Sequence, residues 1–223
     1  MTDKTLKYWG WGYAEDGLSA DDTKALLNTF SDGFGIEPSR DGAFPTMDAI
    51  NLPTPKVEAP ANLGKISTTD KHDRVVHSFG QSQPDSLRIY NGDFDHVVDV
   101  VAYPESNEDI AAIYDWAGDA NAAVIPFGGG SSVVGGVTSD VGSKYNGTIS
   151  IDMTRMNKVL EVDPISRSAR IQGGIRGPEL EAQLKPHGLT LRHFPQSFEH
   201  STFGGWIATR SGGHFATLYT HID

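Results

Sequence analysis

A short apolar run, Ala123-Val124-Ile125-Pro126, passes without a break into Phe127-Gly128-Gly129-Gly130-Ser131-Ser132. Three successive glycines can adopt positive φ and bring the backbone close to a partner, because no Cβ stands in the way. Consecutive amides turned inward form a concavity that favours an anion, and Ser131 and Ser132 add hydroxyl donors. The loop suits a phosphate or pyrophosphate. It is not a Walker A loop, since no Lys-Ser or Lys-Thr follows the glycines. Nor is it the G-x-G-x-x-G fingerprint, since Val133 stands where the third glycine would fall. A flexible surface loop is the competing reading; the strand feeding directly into the glycines weighs against it.

The surrounding pattern is α+β with a mixed sheet. Val97 to Tyr103 is rich in β-branched residues and reads as a strand closed by Pro104. Ser106 stands three residues before Asp109, a capping-box start, and Ile110, Ile113, Tyr114 and Ala117 follow at helical spacing up to Asn121. With the strand at 123–126 this makes a βαβ unit ending in the glycine loop. Further strands are expected at Gly147–Asp152, Lys158–Asp163, Ser168–Gln172 and Leu189–Leu191. Helices are expected over Gly177–Lys185 and in a short piece after Thr202. Ahead of this domain, taken as residues 93–223, residues 1–92 read as an irregular flank. The flank carries the aromatic cluster Tyr8-Trp9-Gly10-Trp11-Gly12-Tyr13, a helix from Ser19 through Phe30 and an extended proline-rich stretch from Pro45 to Pro60. The aromatic cluster is expected to pack on the domain as a clamp.

Charge and composition narrow the function classes. A formal net charge of −11 opposes nucleic-acid binding and electrostatic attachment to an anionic membrane. The absence of cysteine removes disulfides, iron–sulfur clusters and thiol catalysis. The polar start Met1 to Lys7 lacks the apolar core of a signal peptide, and no apolar stretch is long enough to span a membrane. The expected location is the cytoplasm, with peripheral membrane association left open. No metal site is expected: the histidines are scattered without an H-E-x-x-H pair. Asp93, Asp95 and Asp99 lack the glycine and terminal glutamate of a calcium loop and read as a solvated turn.

Two more segments resemble ligand-contact loops: Pro195-Gln196-Ser197-Phe198-Glu199-His200-Ser201 running on to Thr202-Phe203-Gly204-Gly205-Trp206, and Thr209-Arg210-Ser211-Gly212-Gly213. Together with the loop at 126–132, their order and spacing resemble the FAD domain of vanillyl-alcohol-oxidase-type (PCMH-type) flavoproteins, and within them the alkyldihydroxyacetonephosphate synthase branch. Gly10-Trp11-Gly12-Tyr13 and His77-Ser78-Phe79-Gly80 support it. One departure is Gln196, where the family usually has Asp, a change that should retune polar contacts without abolishing binding.

The resemblance implies an FAD-binding PCMH-type fold and FAD as a noncovalent cofactor. It implies cofactor contacts from Pro126, Phe127, Gly128, Gly129, Gly130, Ser131 and Ser132, from Pro195, Gln196, Ser197, Phe198, Glu199, His200 and Ser201, and from Thr209, Arg210, Ser211 and Gly212. Arg210-Ser211-Gly212-Gly213-His214 matches a string that carries covalent flavin in some relatives. There, however, it follows the first βαβ strand, a place held here by the glycine loop. The branch exchanges the acyl chain of acyl-dihydroxyacetone phosphate for a long-chain alcohol, toward ether lipids; a flavin-linked oxidation of a 2-hydroxy acid is the alternative, and a noncatalytic remnant a third. Family members are considerably longer, with substrate residues in a C-terminal cap domain. This chain is therefore expected to be an N-terminal portion, cut before the end of the FAD domain, and no catalytic residue is assigned. The expected partners are FAD and, for the whole enzyme, a small-molecule or lipid-like substrate; a homodimer is compatible with this reading.

Overall fold

A computed structural model describes residues 4–35, 44–213, 216, 221 and 222. Its helices are α1 (Ala20–Phe34), α2 (Lys71–Val76), α3 (Gln83–Asn91), α4 (Asn107–Ala120), α5 (Gly177–Leu184) and α6 (Phe203–Thr209). Its strands are β1 (Ser67–Thr68), β2 (Val100–Ala102), β3 (Ala122–Phe127), β4 (Gly147–Asp152), β5 (Val159–Asp163) and β6 (Ser168–Ile171). The main sheet has the order β1-β2-β4-β3. Strands β2 and β3 both run parallel to β4, whereas β1 is an antiparallel edge. Strands β5 and β6 form a separate antiparallel pair. The mixed α+β architecture expected from the sequence is present.

The β-branched composition of β2 and β4 follows from their place in the sheet. All residues of both strands are buried, as a parallel sheet covered on both faces requires. Successive side chains alternate between the faces. Val100, Ala102, Ile149 and Ile151 pack with Ile113, Trp116 and Ala117 of α4. Val101, Ile125 and Phe127 pack on the other side with Val76 of α2, Val98 and Val137. The flank shares this core: Val57 and Leu63 lie in the first cluster, and β1 adds a strand to the sheet.

Helix α4 starts at the capping box read from the sequence. The Asp109 amide donates to Ser106 Oγ (3.1 Å), and the Ser106 amide donates to Asp109 Oδ2 (3.1 Å). Asn121 ends the helix in the left-handed conformation, φ 48°. The buried stripe is Ile113, Trp116 and Ala117, while Tyr114 is exposed. At 100° per residue Tyr114 turns away from Ile113, and Trp116 takes the core position instead.

Four expectations change. Leu189–Leu191 forms no strand: the Leu191 amide donates to Glu181 Oε1 (3.1 Å), and both leucines pack beside the cluster of Ile175, Leu180, Leu184 and Trp206. A side chain and an apolar surface replace the neighbouring strand. The strand β2 covers only Val100–Ala102: the Asp99 amide still reaches the Thr148 carbonyl of β4 (3.0 Å), but the Val98 amide leaves the sheet and donates to Ser78 Oγ (2.8 Å). Asp99 is not in a solvated turn. It is buried and accepts from the amides of Lys56 (2.9 Å) and Thr148 (2.7 Å). Finally, α1 runs past Phe30 to Phe34 and stops at Gly35, φ 63°.

Candidate FAD-binding site

Strand β3 delivers Phe127 into the core, where its ring lies 4.2 Å from that of His77. His77 is itself buried. Its Nδ1 faces the Asp73 carbonyl (2.7 Å) and its Nε2 faces Asp152 Oδ2 (2.8 Å). Both ring nitrogens thus face protein oxygens. This pair joins α2 to the end of β4 directly beneath the start of the glycine loop. The nearby Tyr103 hydroxyl is pushed well above the usual tyrosine range by burial, with Asp73 and Asp152 adding to the effect.

The loop then turns against the second segment. A Cβ on Gly128 would strike the Thr202 side chain. One on Gly129 would lie 2.7 Å from the His200 carbonyl carbon and 3.0 Å from Ser201 Cα. Gly130 has φ +61° and faces the Phe127 ring. The missing Cβ atoms of Gly128 and Gly129 thus make room for the backbone and side chains of 200–202. From sequence alone, that room is expected to serve the ligand. What the loop offers a ligand is its amides: among the described residues, the N–H groups of Gly129, Gly130 and Ser131 donate to no acceptor. The Ser132 side chain is engaged, accepting from the amides of Val134 (3.4 Å) and Gly136 (2.8 Å), and its carbonyl accepts from Gln81 (2.6 Å).

Residues 195–204 form a tight turn wedged between the loop and residues 173–177. The amides of His200 and Ser201 both donate to the Ser197 carbonyl (2.8 Å each), and Ser201 Oγ donates there too. The Trp206 indole donates to Ser201 Oγ (2.6 Å) and fixes the turn on α6. On the far side the Gly204 amide donates to the Gly173 carbonyl (2.7 Å) and the Phe203 amide to the Ile175 carbonyl (2.9 Å). Phe198 stacks near Trp206, a packing role, while Gln196 and Glu199 are exposed.

The third segment sits at the C-terminal end of α6. Thr209 Oγ1 donates to the Gly205 carbonyl (2.8 Å), and Arg210 caps the helix at φ 51°. Ser211 Oγ lies 3.4 Å from His193 Nε2, and the Ser211 amide donates to the Trp206 carbonyl (2.8 Å). A Cβ on Gly213 would lie 2.5 Å from the Phe194 carbonyl. The first and second segments are therefore in direct contact, and the third packs on the second. His214, the last member of the covalent-flavin string, lies outside the described residues.

A narrow cleft lies beside the loop and is walled by Trp11, Gly12, Gly129, Gly130, Arg176 and His200. Of the aromatic cluster, Tyr8, Gly10, Trp11 and Gly12 line this cleft, whereas Trp9 stacks on Phe44 (4.5 Å). Arg176 and Gln81 carried no signal in the sequence; each becomes visible only once the turn before α5 and the start of α3 are folded onto the loop. Lys7 and Arg176 are the charged residues of the lining, and no carboxylate joins them among the described residues. Free amides, cationic side chains and close backbone approach fit an anionic pyrophosphate.

Residues 98–223 match the model of the FAD binding domain family. The chain is similar to the alkyldihydroxyacetonephosphate synthase of Dictyostelium discoideum, 44% identical over 154 residues, which is 69% of this chain and 25% of that protein. It is 31% identical to the synthase of Caenorhabditis elegans, over 99% of this chain and 40% of the relative. A D-2-hydroxyglutarate dehydrogenase of Pantoea ananatis is 32% identical over 60% of this chain and 13% of its own length. A solved alkyldihydroxyacetonephosphate synthase structure superposes with a TM-score of 0.80 at 32% identity, covering 97% of this chain and 44% of that one. The chain thus spans 25–44% of the length of these synthases. No helix among the described residues is long and apolar enough to cross a membrane. The fold, the donor-lined cleft and the family match agree, and the chain belongs to the FAD binding domain family, with FAD as its cofactor.

Proposed function

We propose that this chain is the FAD-binding part of an alkyldihydroxyacetonephosphate synthase-like flavoenzyme, which exchanges the acyl group of acyl-dihydroxyacetone phosphate for a long-chain alcohol. The observation that carries this reading is the contact of the glycine loop with segment 200–202 beside a cationic cleft, where among the described residues the amides of Gly129, Gly130 and Ser131 donate to no acceptor. The 44% identity to a named synthase supports the chemistry.

In this reading Gly128 to Ser132 hold the pyrophosphate by backbone amides and the Ser131 hydroxyl. Pro195 to Ser201 form the second wall. Thr209 to Gly212 extend the site beyond α6. Pro126 and Phe127 act through packing, since Phe127 seats the loop on His77. When bound, the flavin supplies an electrophilic ring; the protein supplies orientation and electrostatics. Attachment is noncovalent, the substrate is lipid-like, and the cytoplasm is the working compartment.

The test has two stages. The chain should quench FAD fluorescence on titration at neutral pH. The enzyme expressed from the whole gene should then form alkyl product from a fatty alcohol and acyl-dihydroxyacetone phosphate. The similarity to a D-2-hydroxyglutarate dehydrogenase favours one other reading, oxidation of a 2-hydroxy acid. Rapid flavin reduction by such an acid, without alkyl product, would establish that reading instead. Failure to take up FAD at either stage would indicate a noncatalytic remnant.

A further inference from the structure

The N-terminal loop forms a wall of the cleft rather than a loose appendage. Leu6 and Tyr13 pair across it, the Lys7 amide donates to the Gly12 carbonyl (3.1 Å), and the Ala14 amide donates to the Thr5 carbonyl (2.8 Å). Three side chains fasten the loop from outside. His72 Nε2 meets the Leu6 carbonyl (2.9 Å), Gln81 Nε2 donates to the Gly10 carbonyl (3.2 Å), and Arg176 Nη1 donates to the Tyr13 hydroxyl (2.9 Å). Gly12, at φ +90°, lets the turn close on His200, whose ring would lie 3.5 Å from a Cβ there. The Trp11 ring sits 6.2 Å from the same imidazole.

Two buried side-chain nitrogens among the described residues of this wall, Trp11 Nε1 and Arg176 Nε, have no hydrogen-bond partner. Both residues line the cleft, as Gly129 and Gly130 do. Indole and guanidinium nitrogens only donate, and a buried donor without an acceptor is costly. Two such donors, added to glycine amides that donate to no acceptor and a lining that has no carboxylate among the described residues, are complementary to an anion.

We infer that the loop of residues 5–14 closes the outer side of the pyrophosphate site, and that Trp11 and Arg176 are positioning residues whose N–H groups donate to the bound diphosphate. This rests on the FAD reading above and extends it to two residues outside the three motif segments. Lys7 adds long-range attraction for the same anion. The diphosphate is held between two surfaces far apart in sequence, the glycine loop and the N-terminal strap.

The test uses Trp11→Phe, which keeps an aromatic ring against His200 and removes the N–H with its pyrrole ring, and Arg176→Lys, which keeps the positive charge and removes Nε together with the Nη1 bond to the Tyr13 hydroxyl. FAD affinity is read by flavin fluorescence and ADP affinity by calorimetry, with the thermal midpoint of each ligand-free chain as a folding control. Each variant should bind both FAD and ADP roughly tenfold more weakly, the effect of deleting one hydrogen bond to a charged group. Midpoints should stay close to that of the unaltered chain. If Trp11→Phe loses its fold, Arg176→Lys decides alone. Variants that bind FAD and ADP as tightly as the unaltered chain would overturn the inference while leaving the flavin reading standing. An unaltered chain that binds no FAD would refute the flavin reading itself, and the strap with it.

Discussion

Replacing Gly129 with alanine adds one methyl group at the point where the glycine loop meets the second segment. That Cβ would overlap the His200 carbonyl oxygen and stand 2.7 Å from its carbon and 3.0 Å from Ser201 Cα. All three obstacles are backbone, so no side chain can rotate aside. The turn at 197–201 is itself tied by three hydrogen bonds to the Ser197 carbonyl. One of the two chains must retreat by about an ångström. Overpacking of this kind costs about 1–3 kcal/mol, and the rigid backbone on both sides places the cost near the upper figure. The lower entropy of an unfolded chain with alanine offsets about 0.4–1 kcal/mol. The net loss should be about 2 kcal/mol, a drop of about 1 M in urea midpoint for a slope of about 2 kcal/mol/M. Gly118→Ala is the matched control. Gly118 lies in α4 with nothing within 4 Å of a Cβ, so that substitution should stabilise by about 0.5–1 kcal/mol. Urea unfolding of the ligand-free chain, followed by circular dichroism, measures both. FAD affinity of Gly129→Ala should also fall more than tenfold, because the separated loop no longer presents its amides. An unchanged midpoint for Gly129→Ala would refute the claim that the glycine serves the backbone contact.

Four other outcomes are expected. Asp99→Ala strands the amides of Lys56 and Thr148 in the interior and should cost about 3 kcal/mol; a urea-measured loss under about 1 kcal/mol would contradict that accounting. Ser106→Ala removes the cap of α4 and should cost about 1 kcal/mol. The Asp109 carboxyl is held below its ordinary range chiefly by the Glu105 amide, so its share of the cap is present above the usual carboxylate pKa and lost as pH falls through the lowered one, which an acid titration of stability can follow. Acid precipitation of the FAD-loaded protein should release all flavin to the supernatant; flavin retained in the pellet would mark a covalent bond.

The elements most legible in the sequence are those whose own residues decide them. Strand β4 has the predicted bounds because six consecutive residues are buried in a parallel sheet, and α4 because its capping box and αL Asn121 are local signals. The short helices α2 and α3 escaped notice. Six and nine residues give too little length for a period, and their stability comes from contacts with distant residues, such as Arg74 Nε donating to the Val98 carbonyl (2.8 Å). A strand at 189–191 was expected for the opposite reason: its leucines are apolar because they pack on Trp206 and α5, and apolar spacing alone does not distinguish a strand from a packed extended segment.

The glycine string shows why a motif can be located correctly and still be explained incompletely. Glycine is required wherever a Cβ would collide, and the sequence cannot say with what. At 128 and 129 the collision is with residues 200–202, about seventy positions away, so the same three letters answer to the fold before they answer to a ligand. The two demands are compatible, because a peptide unit presents its Cα hydrogen and its N–H in different directions. Packing on the Cα side seats the loop against residues 200–202, and among the described residues the amides of Gly129, Gly130 and Ser131 donate to no acceptor. A loop ordered in this way does not have to be ordered by the anion it binds, which lowers the entropic cost of binding. The same reasoning extends to Trp11 and Arg176: the strap that carries one and is fastened by the other is held by hydrogen bonds from His72 and Gln81 as well, so the donors on both sides of the cleft are set in place by the fold.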